Sequence, residues 1–298
     1  MKGRASHKLI ENIQTSGEQI PKLSEWVKQV VPAETVMPQP PIPPSVLSAL
    51  LKNSEDRSLD ETVALVENDE ATTARILLWA NSASSGAVER ITDLKTAIMR
   101  VGVGSMVQIT LLSKFKSFLS IPLGSYNVKV GGFWMHGFAT AIAAECMEVD
   151  LTFPVPPECF VAGLVHDVGK VFIDRYVEQF SLPCMGGEEV DHYQLETDSL
   201  GLDHASIGAS VARHWGFDPM VVDCVAHHHD TLNERSPEVK VLQLANQIAK
   251  TIGRKGGAGL PDQEASQLLR DLGLDKNDFE KIRSRSRSKL TKLAGTLK

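Results

Sequence analysis

Apolar residues recur at three- and four-residue spacings along most of the chain, and this pattern predicts helices almost throughout. Leu94, Ala97, Ile98 and Val101 fall on one helical face. Asp93 stands before them as an N-cap and Gly102 marks the end. Ser58-Leu59-Asp60-Glu61 has the form of a capping box, in which the Ser hydroxyl and the Glu carboxylate each satisfy a free backbone amide of the other. Ser236-Pro237 opens another helix, because proline in the first position gives up an amide that has no helical partner. Strict apolar–polar alternation is scarce, and no Asn-Gly or Asp-Gly pair separates two strand-like runs. The predicted class is all-α.

Proline and glycine divide the pattern. The run Pro38-Gln39-Pro40-Pro41-Ile42-Pro43-Pro44 must be extended, so residues 1–40 form an N-terminal helical arm with a proline-rich linker. Ile121-Pro122-Leu123-Gly124-Ser125 separates a helical group at 41–125 from a histidine-rich one at 126–252. A third break, Gly253 to Pro261, precedes C-terminal helices with a basic end at 253–298. That basic end, Lys281 to Lys292, has no interleaved aromatics and is expected to be a solvated helical face. Val101-Gly102-Val103-Gly104-Ser105 follows a helix and lacks a third glycine, so it is not a nucleotide loop.

Composition acts by exclusion. Lys and Arg number 31 against 37 Asp and Glu, a net charge of −6, which gives no general electrostatic hold on nucleic acid or an anionic membrane. Nucleic acid is therefore not expected as a partner. Hydrophobic residues at 42% and charged ones at 23% exclude a wholly disordered chain. The start has no apolar signal core, and no uncharged stretch approaches the ~20 residues that span a bilayer. The four cysteines are scattered, without a CxxC pair, as reduced thiols would be. A cytoplasmic protein without a membrane partner is the expectation.

Candidate chemistry lies in the histidines. Of the 9 in the chain, all but His7 fall between His136 and His229. In Leu164-Val165-His166-Asp167-Val168-Gly169-Lys170, adjacent His and Asp at a helix end, with glycine relieving the following turn, let a nitrogen and a carboxylate reach one cation. Such a mixed donor set suits Fe, Mn, Zn or a similar divalent ion. Lys170, one turn on, can face phosphate in the same cleft. His136 sits on a preceding helix; His204 opens a helix after Asp203; His227-His228-His229 close another. Four such helix ends can converge on one or two ions. For His136 and His204 taken singly, a hydrogen-bonded core histidine competes with a ligand. His214 suits a helix C-terminus, His192 the surface, and His227 a structural role. Asn81 reads as a helix end able to turn left-handed.

The order His136, His166-Asp167, His204, His228-His229 resembles the HD superfamily of metal-dependent phosphohydrolases. The chain is most similar to its signalling branch, the HDOD (HD-related output) domain. Pro41-Ile42-Pro43-Pro44, Asn68-Asp69-Glu70-Ala71 leading to Asn81-Ser82, Ala97-Ile98-Met99-Arg100-Val101-Gly102, Asp203 to Ala209, and Trp215-Gly216-Phe217 are also close to that family's pattern. The match covers about 40–250. It implies an HD-like helical bundle preceded by an N-terminal helical subdomain. It further implies metal ligation by His136, His166, Asp167, His204, His228 and His229, with Asp167 and Lys170 as catalytic groups if the site is active. The family generally closes the first metal site with an aspartate; the matching residue is Asn246, whose neutral oxygen binds a divalent ion less strongly. No Gly-Tyr-Pro motif follows His229, which counts against cyclic di-GMP hydrolysis.

Two functions are compatible with these residues. One is a regulatory output protein with a partly degenerate, metal-binding HD site, passing its state to a protein partner. The other is a metal-dependent phosphohydrolase acting on a nucleotide or other phosphoester. The proline-rich segment and the helical ends leave room for a homodimer. A 40-residue arm is too short for a receiver domain, so any input comes from a small molecule or a partner.

Overall fold

A computed structural model describes residues 20–31, 40–51, 58–82, 89–186, 190–230, 235–253 and 262–296. The Gly256-Gly257 break, His7, most of the N-terminal arm and the loop after Asp230 lie outside these residues. The described elements are helices α1 Leu23–Val30, α2 Pro44–Leu51, α3 Leu59–Ala64, α4 Glu70–Ala80, α5 Leu94–Val101, α6 Val103–Leu119, α7 Gly132–Cys146, α8 Glu158–Val165, α9 Gly169–Gln179, α10 His192–Leu200, α11 His204–His214, α12 Pro219–His227, α13 Pro237–Gly253, α14 Asp262–Asp271 and α15 Lys276–Thr296. The described residues hold no strand, only an isolated bridge between Leu123 and Val128, and the chain is all-α as its periodicity predicts. It divides into two compact units, one of residues 1–39 and 120–286, the other of 40–119 and 287–298.

The smaller unit is built on the predicted caps. The Ser58 hydroxyl accepts from the Glu61 amide at 3.2 Å while Glu61 takes the Ser58 amide at 2.8 Å. Asp93 accepts from Thr96 N at 2.8 Å, and α5 then buries Ala97 and Ile98. Gly102 follows at φ 85°, a value that only glycine adopts cheaply, and turns the chain into α6. The core of this unit includes Ile76, Ile98, Met106, Ile109, Leu112 and Phe115. Asn81 is a helix end but not a left-handed one. Its φ is −95°, and its amide works as a clip, donating to the carbonyls of Leu77 and Ile91 and accepting from Ile91 N, each at 2.8 Å.

In the larger unit, α7 is apolar on every side and is buried on nearly every side, with α8 and α13 packed against it. Glycines allow the α7–α8 contact: a Cβ on Gly163 would lie 2.6 Å from Ala141 Cα, and one on Gly137 would lie 2.7 Å from the Leu164 carbonyl oxygen. The helices therefore meet backbone to backbone, bringing His136, beside Gly137, close to the end of α8 where His166 follows. A second close crossing joins α9 to α11. Here Gly169 is not relieving a turn, since it begins α9 and its neighbours have ordinary right-handed angles. It is needed because a Cβ would overlap the His204 carbonyl oxygen and stand 2.8 Å from Gly208 N. The arm helix α1 packs on α9, with Trp26 edge-on to Tyr176 and its indole N–H on Gln179. On the basic end of α15, Lys281, Arg287 and Lys292 are exposed, as expected of a solvated face, while Ile282 and Ser286 are buried on the other side and Arg285 pairs with Asp150 and donates to the Cys146 carbonyl. Among the described residues, no single helix is long and apolar enough to cross a membrane.

Candidate metal centre

Helix ends leave carbonyls without helical partners, and two histidines exploit this. His166 caps α8 and turns its Nδ1 onto the Gly163 carbonyl at 2.9 Å; His228 caps α12 and turns its Nδ1 onto the Val225 carbonyl at 2.7 Å. A carbonyl only accepts, so in both rings the proton is on Nδ1 and the lone pair is on Nε2. His204 is fixed differently. Asp203 caps α11, accepting from Ser206 N, and the Glu196 carboxylate receives both His204 N at 2.7 Å and His204 Nδ1 at 2.6 Å. Tyr126 donates to the other oxygen of Glu196 at 2.7 Å. Three imidazoles are thus held through Nδ1 with Nε2 turned inward, without a partner in His166 and His228, the arrangement in which protein partners orient metal-ligating histidines.

The Nε2 atoms surround Asp167. Its Oδ2 lies 3.8 Å from His136 Nε2 and 3.6 Å from His166 Nε2, while Oδ1 lies 3.2 Å from His204 Nε2 and 3.7 Å from His228 Nε2. His229 Nε2 stands 3.0 Å from His204 Nε2. Two overlapping sets result, His136–His166–Asp167 and Asp167–His204–His228–His229, each with its ligand atoms within 4.8 Å of one another. With metal–nitrogen bonds of about 2.1 Å, neighbouring ligands on one ion fall about 3.0–3.4 Å apart, which is the scale seen here. His166, Asp167, His204 and His228 are buried, and the Nε2 atoms of His166 and His228 and Oδ1 of Asp167 have no hydrogen-bond partner. Buried polar atoms in native proteins are rarely left unpaired, so a donor set of this kind fits a divalent cation.

Electrostatics agrees with this geometry. Burial holds His166, His228 and His229 below the ordinary histidine value, as neutral donors, and takes His136 down to about 4. Burial would raise Asp167, but the Lys170 ammonium, 2.8 Å from Oδ2, and His166 hold it well below the usual carboxylate range. For His204, burial pulls downward and Glu196 outweighs it, leaving the pKa raised.

Asn246 lies on α13, the helix packed against both α7 and α8; its side chain is buried and its Oδ1 has no hydrogen-bond partner. His227 turns to Asp230 at 2.7 Å, and His214 ends α11 exposed. His192 departs from its expected surface role. Its ring lies edge-on to Tyr126 at 5.0 Å, its Nε2 is buried without a partner, and burial takes it to about 4. Three further groups escaped the sequence reading. Glu196 is fully buried behind His204, Tyr193 stacks on His229 at 4.9 Å, and Lys250 lies one turn beyond Asn246. His192, Tyr193 and Glu196 share one face of α10 by their spacing, a signal hidden in an otherwise polar, acidic segment.

His136 and His192 also set an acid limit. An unfolded chain protonates them below their ordinary 6.5, the folded chain only near 4, so their contribution is present above 6.5 and is lost as pH falls through that window. Each is worth on the order of 3 kcal/mol. Chelator-treated protein should therefore unfold at markedly lower denaturant near pH ~5 than near pH ~7.5. Equal midpoints would place these rings in water.

Comparison with known proteins places this architecture. The HDOD domain family model matches residues 39–231. An uncharacterized protein of Treponema pallidum (strain Nichols) is 24% identical over 205 residues, 64% of this chain but 38% of that protein. Ribonuclease Y of Helicobacter pylori (strain J99 / ATCC 700824) is 25% identical over 123 residues, 40% of this chain and 18% of that protein. The chain thus spans well under half the length of these relatives. Among solved structures, a provisionally assigned signal transduction protein of Marinobacter aquaeolei VT8 superposes with a TM-score of 0.63 at 18% identity, over 99% of this chain and 67% of that one. A provisionally assigned phosphohydrolase of Shewanella amazonensis SB2B gives 0.61 at 22% identity, over 93% and 98%. An HDOD domain protein of Geobacter sulfurreducens gives 0.59 at 19%, over 99% and 98%. With the family model spanning most of the helical body and the His–Asp cluster, the chain belongs to the HDOD domain family.

Proposed function

We propose that this protein is a regulatory HDOD output protein whose HD site holds one or two divalent ions, with the state of that site read by a protein partner in the cytoplasm. The observation that carries the reading is the set of buried, inward-facing and unpartnered atoms, His166 Nε2, His228 Nε2 and Asp167 Oδ1. His136, His166 and Asp167 would hold one ion, with Asn246 as a neutral fourth group; Asp167, His204, His228 and His229 would hold the other. Iron, manganese, zinc or a similar ion suits these donors. Regulation is favoured over turnover because Asp167 is the one carboxylate common to both sets and Asn246 contributes no charge. The signal-transduction assignment of the Marinobacter structure points the same way.

Hydrolysis of a phosphoester is the second reading, supported by Asp167, which turns one oxygen to each set, and by Lys170 on Oδ2. Bound ions would supply Lewis acidity toward a phosphoryl oxygen and an acidified water. Lys170 fixes the Asp167 carboxylate, while Glu196 orients His204. A nucleotide or simple phosphoester is the fitting substrate; cyclic di-GMP is not, since no Gly-Tyr-Pro follows His229. The net charge of −6 speaks against nucleic acid as a partner in either reading.

Elemental analysis of protein purified without a metal-affinity tag tests the proposal. One to two equivalents of a first-row ion per chain are expected. None, even after incubation with iron, manganese and zinc, overturns it. Turnover of a phosphoester panel by the loaded protein would promote the second reading over the first.

A further inference from the structure

The two ligand sets share Asp167, but its two oxygens are not in the same state. Lys170 donates to Oδ2 at 2.8 Å, and Oδ2 is the oxygen that faces His136 and His166. An ammonium there occupies a lone pair and repels a cation approaching from that side. Oδ1, the oxygen facing His204 and His228, is buried without a hydrogen-bond partner. One carboxylate is thus encumbered toward one set and open toward the other.

The imidazoles differ in the same sense. Behind His204 stands a second carboxylate: Glu196 receives its Nδ1 at 2.6 Å and its backbone N at 2.7 Å, while Tyr126 donates to the other oxygen at 2.7 Å. An anion on Nδ1 strengthens Nε2 as a donor, and both side chains are fully buried, where water does not screen the effect. His166 has only the neutral Gly163 carbonyl behind it. The His136 side chain is 22% exposed against 0% for His204 and His228, so water competes for its set more readily. Four His or Asp donors face one ion and three face the other. We infer that the sets are unequal: Asp167, His204, His228 and His229 hold a resident ion, and His136, His166 and Asp167 hold an exchangeable one whose occupancy follows the supply of free divalent cation. Glu196 acts through His204 and Lys170 through Asp167, so both are positioning residues, and they set the difference. The inference rests on the reading that the cluster binds metal, and it names the half of the cluster that changes state.

Zinc titration of the chelator-treated, tag-free, full-length chain against a competing chromophoric chelator reads both affinities. The first ion should bind about tenfold or more tightly than the second, since a unit charge disfavours one set and another favours its neighbour. Glu196→Gln should weaken the tighter ion by about 10–100-fold, the range for partners that orient a ligand, and affect the weaker one far less. Lys170→Met should tighten the weaker ion by about tenfold, whereas Lys170→Arg, which keeps the charge, should not. His136→Ala should lose the weaker ion only, and His229→Ala the tighter. Melting of each metal-free variant establishes that it is folded. A Glu196→Gln protein that melts lower yet keeps both affinities would make Glu196 purely structural and overturn its role. Equal affinities in the parent, or loss of the tighter ion in His136→Ala, would overturn the order and leave the metal reading standing. A parent that takes up no zinc, manganese or iron would overturn the metal reading itself, and the order with it.

Discussion

Replacing His166 and Asp167 together with alanine is expected to abolish metal binding while the far-UV helical signal stays that of the parent. Asp167 is the group common to both ligand sets, one oxygen facing His136 and His166, the other His204 and His228. Its loss therefore strips both sets of their shared anionic donor, and His166 removes a second ligand from one of them. Orienting partners one shell out are already worth about 10–100-fold in metal affinity, so loss of two direct donors should exceed about 100-fold. The helices should survive because neither side chain forms part of a helix's own hydrogen-bond ladder, and the α7–α8 and α9–α11 crossings rest on backbone contacts at Gly137, Gly163 and Gly169. His166 caps the Gly163 carbonyl within its own helix end, and the Asp167 carboxylate bonds to Lys170 three residues on. Asp167→Asn serves as the control for shape, since it keeps the volume and removes the charge. Retained stoichiometric metal in the double variant would mean that the ions sit elsewhere.

The fold was legible in the sequence because its signals are local. Ser58 with Glu61, Asp93 with Thr96, and Asp203 with Ser206 each complete a cap within three residues, and each is found where the pattern predicts it. His166, Asp167, His204, His228 and His229 stand at helix ends, whose positions are set by where helices begin and stop, whereas His136 lies inside α7 and joined the set through the family resemblance. What escaped depends on contacts between helices that no short spacing encodes. Glu196 reads as one acid among several until α10 is laid beside α11 and its carboxylate meets His204. His192 reads as surface until Tyr126, 66 residues earlier in the chain, is packed against it. Lys250 is indistinguishable from a solvated lysine in sequence because only the packing of α13 leaves it half-buried, one turn beyond Asn246. The error over Gly169 is of the same kind: glycine after His-Asp suggests a turn, whereas the close approach of another helix is what requires it.

That approach makes Gly169→Ala the most damaging single methyl available in this centre. The added carbon would overlap the His204 carbonyl oxygen and press on Gly208 N at 2.8 Å, and both obstacles are backbone, which cannot swing aside as a side chain can. Relief therefore requires α9 and α11 to separate. Lys170 and, through the short link at Val168, Asp167 lie at the start of one helix, while His204 opens the other. Separation consequently lengthens the 3.2 Å approach of Asp167 Oδ1 to His204 Nε2, within the set that also holds His228 and His229. Overpacking of this kind costs about 1–3 kcal/mol, and a backbone clash belongs at the upper end. The expected result is a melting point several degrees lower together with a loss of metal stoichiometry. Gly104→Ala provides the comparison. It lies in α6, exposed, with nothing within 4 Å of its added carbon, and should be neutral or stabilising by up to about 1 kcal/mol because alanine suits a helix better than glycine. If both substitutions proved equally mild, α9 and α11 would not be in contact at this point, and the route by which the fold brings Asp167 to His204 would have to be redrawn.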